Sequence, residues 1–419
     1  MHFKDKKLLI LAGASVHVKL VEAAKELGVY TIVTDYLVDS PAKLIADEAW
    51  DLNIYDVDSI VKKCIEEGVD GVISCYIDPC QRAYQEICEK LDCYCYGTRE
   101  QFYKMTDKIA FKKMCIENGV GIIPEYSIND VKSGNVEFPV FVKPVDSRGS
   151  RGQSVCNNFE ELNKAIRLAR TDSSNGQVII EKYIENAHEF QVTYFYIDGK
   201  PYLLRTVDSY TGPKELNLEK VVSCAVSPSK YTSIYVEKAQ PNVLKMFEKL
   251  GIKNGPVFIQ GFYDNDNFYF FDPGLRFPGV DYELIYKKIF NVDFAKKMVN
   301  FALCGDCNFG ENIVNNGVFL NGNRAAVLFP NVRAGKIKNI TGIESLKFDS
   351  SVVSVWLRYG KDDVVNWEYN VNQRLAEIDI LTESTDELRD KIDYVQNTIK
   401  AFDENGNLMN YNMFITSRI

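Results

Sequence analysis

The middle of the chain contains a lysine and small residues with the spacing of a phosphate-binding element. Residues 138–143 are predicted to form a strand that ends at Lys143, and residues 144–152 form a loop rich in glycine, serine and arginine. The backbone N–H groups of such a loop can bind phosphate oxygens, and a strand-end lysine adds a point charge. The loop residues singled out for this role are Ser147, Gly149, Ser150 and Gly152. Because glycine-rich loops often have no ligand, the pattern does not suffice alone.

A second candidate segment contains Glu181, Lys182, Tyr183 and Ile184, followed by Glu189. An extended backbone between two lobes can pair with the edge of an adenine ring, and a carboxylate a few residues later can accept hydrogen bonds from both ribose hydroxyls. A solvated strand with charged outer residues would explain the same pattern. Taken alone, the segment favours that second interpretation.

The third candidate is a predicted hairpin whose strands cover 256–263 and 268–272. Antiparallel pairing would place Gln260 and Asp272 side by side, and oxygen ligands of this kind suit Mg²⁺. Arg276 follows closely and could reach the same phosphates. The alternative is that these are ordinary polar residues near strand ends.

The surrounding pattern predicts the elements that would position these residues. Over the first hundred residues, strands alternate with helices, which predicts a parallel sheet covered by helices. These strands are predicted at 7–12, 29–33 and 69–74, and the helices at about 20–27, 60–67 and 79–91. Further helices are predicted within 98–118 and at 159–170, 234–250, 282–303 and 384–402; a strand is predicted at 178–181, and a hairpin at 189–207 turns at Asp198 and Gly199.

A dinucleotide site in the first region is a weaker alternative. Gly13 follows the first predicted strand and Asp35 follows the second, as in dinucleotide-binding folds. However, Ser15 and Val18 occupy the places of the second and third glycines, which allow the backbone to approach a pyrophosphate. The residues therefore favour a plain turn over a dehydrogenase site.

Composition excludes several classes of protein. The 419 residues carry a net charge of −9, which argues against a broad nucleic-acid-binding surface. No apolar run is long enough to cross a bilayer. We interpret the 11 cysteines, including Cys304 and Cys307, as scattered reduced thiols of a cytoplasmic protein.

In their order along the chain, these segments resemble the ATP-grasp superfamily of carboxylate–amine ligases. Residues 106–112 resemble the helix that opens the ATP-grasp region, and 181–184 with Glu189 resemble the adenine and ribose segment of biotin carboxylase. Gln260 resembles a metal ligand of carbamoyl phosphate synthase, and 272–276 occupy the place of a Glu-x-Asn-Pro-Arg motif. The tail from about Ala325 is similar to the C-terminal domain of L-amino-acid ligases.

The resemblance implies an α/β and α+β fold of three parts. These are an N-terminal parallel α/β domain at 1–104, a two-lobed ATP-grasp domain at 105–324 with a flap at about 124–187, and a small C-terminal α+β domain at 325–419.

The resemblance also implies ATP and Mg²⁺, or Mn²⁺ in its place, as cofactors. Lys108 and Lys143 would contact phosphates, residues 181–184 adenine, Glu189 ribose, Gln260 and Asp272 the metal, and Arg276 the reacting groups. Two residues depart from the pattern, since Asp272 replaces a glutamate and Gly274 an asparagine that normally binds metal. Asp281 or Glu283 could supply the missing ligand.

The implied activity is ATP-dependent activation of a carboxylate as an acylphosphate, followed by its transfer to an amine, with an amino-acid or peptide-like substrate. Arg205 and the loop 211–214 could face the acceptor, although Arg205 could equally be a surface residue. The expected partners are these small molecules and a second copy of the chain, without nucleic acid or membrane. The alternative is a non-catalytic or weakly catalytic ATP-binding regulatory module.

Overall fold

The structure is a computed structural model that describes residues 3–145, 152–173, 176–185, 187–213, 221–279, 282–366, 371–411 and 413–419. Ser147, Gly149, Ser150, Lys214 and Asp281 lie outside these ranges.

The N-terminal region is a parallel sheet with the strand order β3-β2-β1-β4. Its elements are β1 (Lys7–Leu11), α1 (Val18–Glu26), β2 (Tyr30–Thr34), α2 (Pro41–Ile45), β3 (Glu48–Trp50), α3 (Val57–Glu67), β4 (Gly71–Ile73) and α4 (Asp78–Leu91). The predicted parallel sheet is confirmed, but β3 and α2 were not predicted. Because β3 has three residues and α2 five, neither shows a periodic pattern.

Two capped helices lead into the flap. α5 (Arg99–Lys104) and α6 (Lys108–Glu117) begin after Thr98 and Asp107, whose side chains accept hydrogen bonds from backbone N–H groups of the first turn. The flap contains α7 (Ile128–Ser133), β5 (Val140–Pro144), β6 (Ser154–Cys156), α8 (Phe159–Asp172) and β7 (Val178–Lys182). Its antiparallel sheet has the order β6-β5-β7, and α8 covers a small separate core.

The second lobe is built on long antiparallel strands. They are β8 (His188–Ile197), β9 (Lys200–Thr211), β10 (Val222–Ser227), β11 (Gly255–Asp264), β12 (Asn267–Gly274) and β13 (Arg324–Leu328). The helices of this part are α9 (Thr232–Ile234), α10 (Gln240–Leu250), α11 (Glu283–Phe290) and α12 (Phe294–Cys304). Both predicted hairpins are confirmed, with tight turns at Asp198–Gly199 and Asn265–Asp266.

The tail extends the same sheet. Its elements are β14 (Asn331–Val332), β15 (Gly335–Lys336), β16 (Asn339–Thr341), α13 (Ile343–Lys347), β17 (Val352–Leu357), β18 (Val364–Val365), β19 (Ala376–Thr382), α14 (Thr385–Thr398), β20 (Lys400–Phe402) and β21 (Asn410–Tyr411). The central sheet has eight strands in the order β12-β11-β8-β9-β10-β13-β19-β17. It therefore includes strands from both sides of the predicted domain boundary. The domain boundary at 324 stays a prediction, although the tail does have its own hydrophobic cluster.

The predicted helix 384–402 was wrong at its C-terminal end. α14 ends at Thr398, and residues 400–402 pair with β16. Ile399 and Ala401 are both fully buried, so the apolar spacing has changed from a helical to an alternating pattern at this point.

None of the helices in the described ranges is long and apolar enough to cross a membrane.

Candidate active site

Two lysines of α6 lie at the boundary between the flap and the central sheet. Asp107 caps α6, so Lys108 and Lys112 lie one turn apart on the same helix face. Lys112 is ion-paired with Glu125 and with the buried carboxylate of Glu181. Lys112 was included in the segment 106–112 but was assigned no role from the sequence. Its position four residues after Lys108 could have indicated that both lysines face the same site.

Lys143 reaches the same carboxylate from β5. Phe141 pairs with Glu181 across β5 and β7, so Lys143, two residues further along, lies on the same face and makes an ion pair of 2.5 Å with Glu181. Burial acts to raise the pKa of Glu181, but the ammonium groups of Lys143 and Lys112 outweigh it and hold this pKa below its usual range. Burial lowers the pKa of Lys143, and Glu181 only partly offsets this.

This arrangement fixes both ammonium groups while leaving donors for a ligand. An ammonium group has three N–H donors, and Glu181 uses one from Lys143 and one from Lys112. Glu181 was predicted to contact adenine, whereas the structure shows its side chain positioning two lysines. Its role toward a nucleotide stays a prediction.

The predicted metal ligands lie side by side, as the hairpin pattern indicated. Gln260 pairs with Asp272 on β12 and with Gln191 on β8. Glu189 is two residues from Gln191, so its side chain faces the same side of the sheet, and the side-chain amide of Gln260 donates to its carboxylate. The carbonyl oxygen of Gln260 can therefore point toward a cation.

The electrostatics of these carboxyl groups fit a hard cation. Burial raises the pKa of Glu189 to about 7, and its pKa is lowered only by the Gln260 hydrogen bond. Burial also raises the pKa of Asp272, against the opposing effect of Lys108 at 3.8 Å. Adjacent oxygen ligands that lack full charge compensation suit Mg²⁺, which needs few protein ligands. Within the described ranges, no group of three or more His, Cys, Asp or Glu residues is placed so that it could hold a metal ion.

Lys108 connects the two groups of residues. It contacts Asp272 on the sheet side and lies one turn before Lys112 on α6. The structure therefore brings Lys108, Lys143, Gln260 and Asp272 to one boundary between the flap and the central sheet. The charges of this arrangement are complementary to a polyphosphate with a divalent ion, since lysines can bind the phosphates and side-chain oxygens can bind the ion.

Arg276 is held by the N-terminal domain. Its guanidinium makes two hydrogen bonds of 2.5 Å to the carboxylate of Asp78, and it stacks 4.7 Å from the centre of the Phe258 ring. Both phosphate contact and a catalytic role for Arg276 stay predictions. Asp78 was not identified from the sequence, because this contact joins segments about 200 residues apart.

The glycine at position 274 has a packing explanation. Gly274 pairs with Phe258, and a Cβ atom at 274 would lie 2.1 Å from the Phe258 ring. An asparagine ligand at this position would therefore require the aromatic ring to move. Glu283, one suggested replacement ligand, is instead bound by Lys19 and by the Tyr76 hydroxyl at 2.7 Å.

The adenine segment has one clear candidate donor. The backbone N–H of Lys182 donates to Pro124 O, and that of Tyr183 donates to Pro139 O. The N–H of Ile184 has no partner among the described residues. Of the four loop residues that were predicted to bind phosphate, the described ranges include only Gly152. It has a φ of 65° and lies close to Pro144 and Asp172.

The surface interpretation of Arg205 was wrong. Arg205 is 1% exposed, donates to the Ser227 hydroxyl and stacks 4.6 Å from the Tyr282 ring centre. It pairs across the sheet with Thr193, which lies on the same sheet face as Gln191 and Glu189. Arg205 therefore remains a candidate for contact with the acceptor.

The dinucleotide alternative finds no support in the turn after β1. The Asp35 carboxylate accepts hydrogen bonds from the backbone N–H groups of Gly13 (2.7 Å) and Leu37 (2.9 Å). The carboxylate thus links the turns after β1 and β2, which is a structural role.

Comparison with known proteins gives the same fold. A family model described as "D-ala D-ala ligase C-terminus" matches residues 123–206. The formate-dependent phosphoribosylglycinamide formyltransferase of Prochlorococcus marinus (strain NATL1A) is 24% identical over 267 residues, which cover 60% of this chain and 65% of the relative. The chain thus spans slightly less than two thirds of that relative's length.

Two solved structures superpose over nearly the whole chain. The first is the biotin carboxylase domain dimer of Hydrogenobacter thermophilus 2-oxoglutarate carboxylase, in complex with MgADP, ADP and bicarbonate, with a TM-score of 0.75, 18% identity and coverage of 96% of this chain and 91% of that one. The second is the L-amino acid ligase of Bacillus licheniformis, with a TM-score of 0.73, 17% identity and coverage of 96% and 100%. The resemblance in the sequence is confirmed, and this chain has the fold of the ATP-grasp ligases.

Proposed function

We propose that this protein is an ATP-dependent ligase that activates a substrate carboxylate as an acylphosphate and joins it to an amine. The observation that carries the proposal is the single boundary that brings Lys108, Lys143, Gln260 and Asp272 together. The relatives support the reaction class, since one acts on a phosphoribosylglycinamide with formate and one is an amino-acid ligase by name. The amino-acid ligase also favours an amino-acid or peptide-like acid.

In this proposal ATP binds between the flap and the central sheet. Ile184 and its neighbours contact adenine, Glu189 lies near the ribose or the metal, and Lys108 and Lys143 bind phosphates. Magnesium held by Gln260 and Asp272 neutralises phosphate charge and polarises the γ-phosphoryl group. Positioning and charge neutralisation contribute most to phosphoryl transfer, so these side chains need no covalent role.

The reaction has two balanced steps. A carboxylate oxygen forms a bond to the γ-phosphorus while the bond to the β,γ-bridging oxygen breaks, which releases ADP. The amine nitrogen then forms a bond to the acyl carbon, inorganic phosphate leaves, and the amine loses a proton. Closure of the flap would exclude water, which otherwise hydrolyses the acylphosphate.

The test uses single substitutions of Lys143 and Arg276 to methionine. Wild-type protein with ATP and Mg²⁺ is screened for ADP and phosphate release over carboxylic acids crossed with amines, and the products are identified by mass spectrometry. Loss of a preorganised cationic group should lower turnover by about 100-fold or more. Lys164→Met is the matched control, because Lys164 is an exposed flap lysine paired with Glu160. Unchanged turnover in both site variants would defeat the assignment.

A non-catalytic ATP-binding module is the second candidate. Two observations favour it: Phe258 fills the space of the missing asparagine, and Arg276 is occupied by Asp78. Calorimetry with ATP, with and without Mg²⁺, distinguishes the two functions. Tight binding without turnover for any acid–amine pair would favour the module.

The remaining expectations stay predictions at this stage. They are a homodimer, the absence of nucleic-acid and membrane partners, and a cytoplasmic location. The homodimer is supported by the similar biotin carboxylase domain of Hydrogenobacter thermophilus, which is described as a dimer.

A further inference from the structure

A cavity of about 860 Å³ lies where α4 and α5 begin, on the N-terminal domain. Its lining includes Tyr55, Gln81, Arg82, Arg99, Tyr103 and Thr106. The volume falls within the range of small-molecule sites in proteins. No role was assigned to these residues from the sequence.

The cavity adjoins the proposed reaction site at two points. Asp78 lines it and also holds the guanidinium of Arg276. Thr106 lines it two residues before Lys108. A molecule in the cavity would therefore lie next to residues that adjoin Lys108 and Arg276.

The cavity carries uncompensated positive charge. Its two acidic residues are neutralised, Asp78 by Arg276 and Glu100 by Lys104. Arg82 and Arg99 are exposed, and neither has an ion-pair partner in the part of the chain that the structure describes. Two unpaired arginines in one cavity of a chain with a net charge of −9 favour an anionic ligand.

The other lining residues favour a planar, polar ligand. Tyr55 is 70% exposed and Tyr103 is 57% exposed, so both rings are available for stacking. Gln81 is 1% exposed; its Oε1 accepts from the Tyr96 hydroxyl, while its Nε2 has no partner in the described ranges. Exchanging the two amide atoms would leave the oxygen unpaired instead, so either orientation presents a buried polar atom to be satisfied.

We infer that this cavity binds the acid substrate, and that this acid carries a planar group and a second anionic group that Arg82 and Arg99 recognise. The inference rests on the proposed function, because the first carboxylate is the one that would be phosphorylated near Lys108. The second anion can be a phosphate or a carboxylate, since a guanidinium binds both in a bidentate manner.

Direct binding tests the inference without requiring turnover. Calorimetry with the full chain compares three probes: O-phosphotyrosine, 4-carboxyphenylalanine and tyrosine, which lacks the second anion. We expect at least one anionic probe to bind about tenfold or more tightly than tyrosine, and the better probe identifies the anion. Equal affinities, or no binding of either anionic probe, would overturn the inference.

Variants assign the effect to the two arginines. Arg82→Gln with Arg99→Gln should reduce the affinity for the better anionic probe by about tenfold or more and leave tyrosine binding unchanged. Arg167→Gln, at an exposed arginine of α8 in the flap, should change neither. An unchanged affinity of the double variant would refute the role of Arg82 and Arg99. The phosphate-release screen reports the ligase function separately, so failure of the inference is distinguishable from failure of the ligase function.

Discussion

Glu189 is a carboxyl group whose protonation differs between the folded and the unfolded chain. Burial raises its pKa from 4.5 to about 7. Between these values the folded protein holds a proton that the unfolded chain has lost. The stability of the ligand-free protein should therefore decrease as pH rises from about 4.5 to about 7, and stay reduced above that range.

Glu189→Gln should remove this penalty. The glutamine can still accept the hydrogen bond from Gln260 but carries no charge. We expect the free energy of unfolding of the ligand-free protein to rise by ~1–3 kcal/mol at about pH 8 and to change little at about pH 5, as measured by denaturant unfolding.

Glu237→Gln is the control, because Glu237 is an exposed carboxyl group in the helical segment Tyr235–Ala239 between α9 and α10. If Glu189→Gln destabilises the protein at about pH 8 as much as at about pH 5, the explanation by a raised Glu189 pKa is incorrect.

Part of the residue-level site could be predicted from local patterns. Gln260 and Asp272 lie on strands joined by a short turn, so alternation and turn position sufficed to place them together. The contact between Gln260 and Glu189 could not be predicted in this way, because β8 and β11 are distant in sequence and pair only in the folded sheet. The same reason hides the contact of Arg276 with Asp78.

At the scale of elements, the hairpin of β11 and β12 is adapted to the aromatic ring of Phe258. Because a Cβ atom at 274 would lie 2.1 Å from this ring, Gly274→Ala should force the ring or the strands to shift. We expect a loss of ~1–3 kcal/mol in the free energy of unfolding, measured by denaturant unfolding.

A double substitution identifies the cause of that loss. Phe258→Leu combined with Gly274→Ala should lose less stability than the sum of the two single substitutions, because the smaller side chain makes room for the methyl group. Gly279→Ala is the control, since a Cβ atom there meets nothing within 4 Å. Additive losses in the double variant would contradict this explanation.

Elements with a long periodic pattern were predicted well, and short ones were not. α4, α8 and the two hairpins have clear apolar spacing and lie where the pattern indicated. β3 and β20 have three residues each, so their strand character arises from pairing with β2 and β16 and has little local signal.

At the scale of the whole molecule, the site lies where three parts of the chain meet. The N-terminal sheet and the central sheet share one hydrophobic core, and the Tyr96 hydroxyl lies 3.0 Å from the backbone oxygen of Leu275 across this contact. The flap has its own small core, separate from the core that the other two parts share. A proposed phosphate-binding lysine on the flap and proposed metal ligands on the sheet would face the same nucleotide.

The order of the motifs predicted this architecture, although no single motif did. The continuation of the central sheet through β13, β19 and β17 was not predicted, because strand order across a sheet depends on long-range pairing. The tail therefore supports the sheet that carries Gln260 and Arg205 as well as forming its own cluster.

The central claim is that a substrate carboxylate attacks the γ-phosphate of ATP, and oxygen labelling tests it most directly. The acid found in the phosphate-release screen is prepared with ¹⁸O in its carboxylate and incubated with ATP, Mg²⁺ and the amine, and the released phosphate is analysed by mass spectrometry. Formation of an acylphosphate and its displacement by the amine should transfer one ¹⁸O atom from the carboxylate to each phosphate. Phosphate that carries no ¹⁸O from the acid would contradict the account.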